Sequence, residues 1–230
     1  MKRDARPLGS LPAWLWFALG VALAAQIGLR ATSRPVGTER SELPSAPSAQ
    51  GLRLASFGEP EALGRVAMLY LQAFDLGPKL DYTRLIGWLR AILALDPRSQ
   101  YPLFAAARVY AEVPDPARAR AMLEFIHEQY LVDPNRRWPW LAHAALLAKH
   151  RLRDLPLARR YAAEIDRHTT AGDVPLWVKQ MEVFILEDMN ELEAARILLG
   201  GLLESGQIGD ADEARFLRHK LEELERRTGR

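Results

Sequence analysis

The sequence predicts an all-α protein: an α-solenoid of about four helical hairpins with a C-terminal capping helix, preceded by one transmembrane helix. Three observations carry that expectation. Apolar residues recur at helical spacing between short proline-marked breaks, two of those breaks repeat a phrase, and no stretch has the period of a strand. The phrases are Ala94-Leu95-Asp96-Pro97-Arg98 and Leu131-Val132-Asp133-Pro134-Asn135, their prolines 37 positions apart. A phrase returning at that distance, each time closing an amphipathic helix, points to stacked hairpins rather than one closed core.

Composition narrows the function classes. Of 230 residues, 49% are hydrophobic and 26% charged, which is ordinary for a folded chain. Cysteine is absent, which excludes disulfides, thiolate metal sites and cysteine nucleophiles. The 31 basic and 29 acidic residues leave a formal charge of +2, and Lys2, Arg3 and Arg6 against Asp4 account for all of it. The remainder of the chain is formally neutral and lacks the positive field that drives binding to a phosphate backbone, so nucleic acid is not an expected partner.

Residues 1–10 form a basic amino-terminal tail. Leu11 to Leu29 is a 19-residue run without a charged side chain, with Trp14 and Trp16 near its start. At about 1.5 Å per residue it approaches the ~30 Å hydrocarbon layer, and indole rings favour the membrane interface. It reads as a transmembrane signal anchor. A cleaved signal peptide is the competing reading, since Ala22-Leu23-Ala24 fits an A-x-A site, but apolar character continues through Ile27 to Leu29. The short end is expected inside and the body outside the cytoplasm. The Ala/Leu/Arg-rich style suggests a bacterial source, and with it a single-pass inner-membrane protein whose body lies in the periplasm. Residues 30–58, rich in proline and serine and poor in apolar residues, read as a disordered linker. The helical domain is expected over 59–230.

Its helices follow in order. The first covers Glu59 to Asp75 and ends at Gly77-Pro78; the second follows Asp81 as N-cap and stops at Asp96-Pro97. A third runs from Ser99 through Tyr110, and a fourth opens at Asp115-Pro116, an acidic cap before proline. The fifth is expected from Trp138-Pro139 and the sixth from Asp154 with Pro156 in its first turn. The seventh follows Asp173-Val174-Pro175. The eighth spans Glu191 to Glu204 despite Gly200-Gly201, and the last follows Asp210, whose spacing to Glu213 fits a capping box.

Over residues 60–206 this pattern resembles the tetratricopeptide-repeat (TPR) family of helical hairpins. Asp96-Pro97 and Asp133-Pro134 match its helix-ending proline, and Ala158 its small packing residue, with Ala194 or Ala195 in that part later. The spacing of 37 differs from the usual 34, and no Trp, Leu-Gly and Tyr series aligns. The resemblance implies a protein-binding scaffold.

Catalytic signals are sparse. His143 and His150 are seven residues apart, about 10.5 Å along a helix and too far for joint ligation, so no metal or other cofactor is expected. No serine lies in G-x-S-x-G, and no phosphate loop is present. Glu187-Asp188 and Glu191 form an acidic cluster beside a helix end, where solvated charge is common. The most distinctive stretch is Asn135-Arg136-Arg137-Trp138-Pro139-Trp140. Arg136, Arg137, Trp138 and Trp140 are the candidate partner-binding residues, because Arg and Trp concentrate in interface hot spots. The favoured alternative has the tryptophans wedging neighbouring hairpins together while both arginines stay solvated. Together these readings predict a non-enzymatic, membrane-tethered adaptor that holds a protein partner in the cell envelope. The alternatives are a glycan-cleaving envelope enzyme working through a carboxylate such as Glu187, or a secreted binding protein.

Overall fold

The computed structural model describes residues 13–32, 42–74, 80–170, 174–206 and 208–229. It divides into two units, residues 1–41 and 42–230. The described secondary structure is entirely helical, with eleven α-helices, one π-helical turn and no strand.

In the first unit, α1 spans Ala13–Thr32. Trp14, Trp16, Phe17, Leu19, Val21 and Leu23 on it are exposed. Among the described residues no helix is long and apolar enough to cross a membrane. The transmembrane helix expected at 11–29 therefore has no counterpart there; Leu11 and Pro12, its first two residues, lie outside the described residues.

The second unit begins earlier than its sequence suggests. The linker expected at 30–58 gives way from residue 42 to ordered chain: Leu43 is buried and α2 spans Ala49–Ala55, capped by Ser48. Tertiary contact overrides composition here. The indole Nε1 of Trp88 donates to the Pro44 carbonyl (2.8 Å), Arg84 donates to that of Leu43 (2.9 Å), and Leu52 packs with Ala91 and Leu95. Residues 33–41 of the expected linker lie outside the described residues.

Helix α3 covers Pro60–Gln72 and α4 Tyr82–Leu95, with Asp81 accepting from the backbone N–H groups of Thr83 and Arg84. Asp75 and Gly77-Pro78, the expected end of the first helix, lie outside the described residues. The expected third helix is shorter and split, with α5 at Tyr101–Ala105 continuing into a π-helical turn at Ala106–Tyr110. Pro102 falls in its first turn, where a missing N–H costs nothing. Asp115 caps α6, Pro116–Val132. Next, α7 spans Pro134–His150, four residues ahead of the expected Trp138 start, with Pro139 inside it. Asp133 closes α6 and opens α7, so no loop separates them.

The remaining helices are α8 (Leu155–His168), α9 (Leu176–Asp188), α10 (Leu192–Glu204) and α11 (Ala211–Thr228). Asp154 and Asp210 cap α8 and α11 through their side chains, and α10 runs unbroken through Gly200-Gly201. The extensive helix contacts join elements adjacent or next-adjacent in chain order. Three side-chain hydrogen bonds cross between these helices at similar sequence distances. Arg120 meets Asp154 34 positions on, Asn135 meets Thr170 at 35 and Arg160 meets Glu124 at 36. The main core runs from Leu43 to Ile185, and a second cluster of Val183, Leu186, Ala195, Leu199, Leu217 and Leu224 closes the carboxyl end.

Candidate interaction surface

The four singled-out residues of α7 take different roles. Arg137 is 2% exposed, not solvated as expected. Its Nη1 donates to the backbone carbonyl (2.7 Å) and side-chain oxygen (3.2 Å) of Gln129, and its Nη2 to the Pro97 carbonyl (3.0 Å). It ties the second Asp-Pro turn to the first. Burial pulls its pKa below the usual guanidinium value, with Asp133 opposing. Arg136 stays on the surface, 3.2 Å from Asp133. The two tryptophans are half-buried and pack against the main core.

They belong to two aromatic clusters, Trp140 with α5 and Trp138 with α9. Tyr101 and Phe104 stack on α5 (6.0 Å between centroids), and Phe104 meets Trp140 of α7 edge-on (5.9 Å). The Trp140 indole N–H donates to Gln100 Oε1 (2.5 Å). Further along, Trp138 meets Trp177 of α9 edge-on (6.2 Å). Tyr101, Phe104 and Trp177 remain 47%, 41% and 49% exposed. Edge-to-face rings are a favourable packing, but leaving half of three large aromatics in water forgoes their remaining burial. Sequence reading found Trp138 and Trp140 and missed Tyr101, Phe104 and Gln100, which lie one repeat earlier.

At the α3 end, a 420 Å³ cleft lies beside the α5 cluster, lined by Met68, Leu69, Ile92, Tyr101 and Pro102 with Arg65 and Gln72 among its polar groups. Gln72 hydrogen-bonds the Tyr101 hydroxyl at its mouth. Further along, His143 Nε2 lies 3.6 Å from Glu112, which also pairs with Arg108 (3.8 Å). Burial first, then Arg108, hold the His143 pKa below its ordinary value, while Glu112 pulls the other way.

Glu187 serves a different purpose. Its Oε1 accepts from Lys220 (2.8 Å) and Arg227 (2.6 Å), latching α9 to the final helix, and Asp188 pairs with Lys149. This carboxylate is engaged by two cations of α11. Among the described residues no group of His, Asp or Glu is arranged to hold a metal ion. No family model matches this chain, and neither a curated protein nor a solved structure matches it.

Proposed function

We propose that residues 42–230 form a TPR-like solenoid that docks a segment of a partner protein, and that residues 11–29 hold this module at a membrane of the cell envelope. The half-exposed aromatic clusters that α7 forms with α5 and with α9 carry the docking reading. Rings held rigidly by neighbours and half open to water are what an interface anchor requires, since they offer area at little entropic cost. The solenoid reading draws support from extensive helix contacts that join adjacent or next-adjacent elements and from hydrogen bonds one repeat apart. The tether reading draws support from the exposed apolar side chains of α1 and from the uncharged run 11–29.

The test is a double variant, Phe104→Ser with Trp177→Ser, in the tagged full-length chain. Each side chain is also half-buried against a tryptophan of α7, so the variant should melt several degrees below the unaltered protein while staying folded at the binding temperature. The companion that co-purifies with the unaltered chain should weaken by about 100-fold, the scale of losing interface hot spots. Full recovery of the companion by the folded variant would remove the aromatic clusters from the account. Extraction of the full-length chain from membranes by carbonate, without detergent, would remove the tether.

A further inference from the structure

We infer that two copies of this chain pair through α3, the helix of one lying antiparallel on the same helix of the other. This pairing needs neither the docking site nor the tether proposed above. Helix α3 carries two stripes on opposite faces. Gly64, Ala67, Met68 and Leu71 are buried within the unit. Ala62, Val66, Leu69 and Ala73 are exposed, Val66 at 60% and Leu69 at 65%. With Leu54, Phe57 and Tyr70, residues 54–70 hold five exposed large apolar side chains, more than any other stretch of that length among the described residues of the second unit. Apolar exposure concentrated in this way marks a contact surface.

The order of residues in the outer stripe points to its occupant. Spacings of four, three and four are those of a coiled-coil seam, which packs against another helix. The side chains run small, large, large, small, and so read the same in either direction. Laid antiparallel on itself about a point between Val66 and Leu69, α3 sets Val66 against Leu69 of the second copy and Ala62 against Ala73. The bulky pairs meet at the centre, and alanine at both ends lets the helix axes approach closely. A two-fold contact requires a patch of this kind, in which residue i meets j while j meets i.

Charge selects the antiparallel direction. Glu61 and Arg65 are the charged residues of α3. A parallel pair would set each of them beside its own copy. At about 1.5 Å of rise per residue, the antiparallel pair holds the two Glu61 roughly 20 Å and the two Arg65 roughly 8 Å apart along the axis. It also brings Arg65 opposite the neutral Gln72. The last helix limits the assembly to two. Helix α11 exposes Asp212, Arg215, Arg218, Glu222, Glu225 and Arg226, with Phe216 its one exposed large apolar side chain. An apolar α3 stripe finds no match on that charged surface, so copies do not continue end to end, and pairing of like ends closes at a dimer.

Because the chain has no cysteine, single introduced cysteines report on chosen positions. Full-length chains carrying Ala62→Cys and Ala73→Cys under different tags are co-expressed, purified in mild detergent and treated with a short bis-maleimide. The expected product is a dimer joined between positions 62 and 73 that carries both tags. Chains with Ala62→Cys alone should stay uncrosslinked, since their thiols lie roughly 17 Å apart along the axis. Light scattering corrected for detergent should give the unaltered protein twice the chain mass of 25.9 kDa. Val66→Lys, at a position already open to solvent, brings two ammonium groups together in the seam. It should halve the mass while circular dichroism stays helical. A single-chain mass for the unaltered protein at micromolar concentration would overturn the pairing. So would a 62–62 crosslink in place of 62–73, a dimer that survives Val66→Lys, or capture of a different protein at position 62 instead of the second copy.

Discussion

The two Asp-Pro turns begin alike and end differently. Asp96 and Asp133 adopt nearly the same backbone geometry (φ −132°, ψ 85° and φ −149°, ψ 75°), and each closes the helix before it. After Pro97 the chain makes a turn and restarts only at Tyr101, where Pro102 fits a first helical turn. After Pro134 it is helical at once, and Pro139 sits inside the helix instead of opening it. The difference lies three residues past each proline. Arg137 reaches back to the carbonyls of Gln129 and Pro97 and is held in the first turn of α7, whereas Gln100, at the matching place, accepts the Trp140 N–H from outside. A proline thus permits a helix start, and tertiary hydrogen bonds decide whether the start is used.

Breaking that link should give the largest effect. Arg137→Ala leaves the Pro97 and Gln129 carbonyls without their donor in a buried site, at a cost of about 3 kcal/mol, read as a lower urea midpoint. Gln100→Ala removes the second bond between the turns and strands the half-buried Trp140 N–H. It should cost about 1 kcal/mol by the same measurement.

A pH titration sharpens the picture around α7. His143 and His127 both have pKa values lowered chiefly by burial, so the unfolded chain takes up protons first as pH falls. Their contribution to stability is complete above an unfolded pKa of about 6.5 and is lost progressively below it. The urea midpoint should therefore fall from pH 7 to pH 5, and His143→Gln with His127→Gln should flatten the slope. The smallest effect belongs to Arg136→Ala, a surface pair with Asp133, which should change stability by no more than about 0.5 kcal/mol. That two adjacent arginines differ several-fold is the sharpest form of the contrast between the turns.

Local rules made much of the helical body legible. Asp81, Asp115, Asp154 and Asp210 announce helix starts because a carboxylate accepting from the next N–H groups acts within three residues. What stayed hidden depends on partners far along the chain. Arg137 is buried by residues eight and 40 positions away, and its neighbour Arg136 looks the same in sequence. Leu43 and α2 sit in a serine- and proline-rich stretch whose order comes from Trp88 and Arg84. Of the interaction surface, Trp138 and Trp140 stood out by their rarity. Tyr101 and Phe104 joined them only once the helices were stacked.

Site-specific photocrosslinking in the native membrane tests the central proposal most directly. Benzoylphenylalanine replaces Phe104 or Trp177 in the aromatic clusters, and Val132, an exposed residue at the end of α6, serves as the comparison. The account predicts one common protein adduct from positions 104 and 177 and none from 132. An adduct from 132 alone, or silence at both aromatic positions in a folded and illuminated protein, would contradict it.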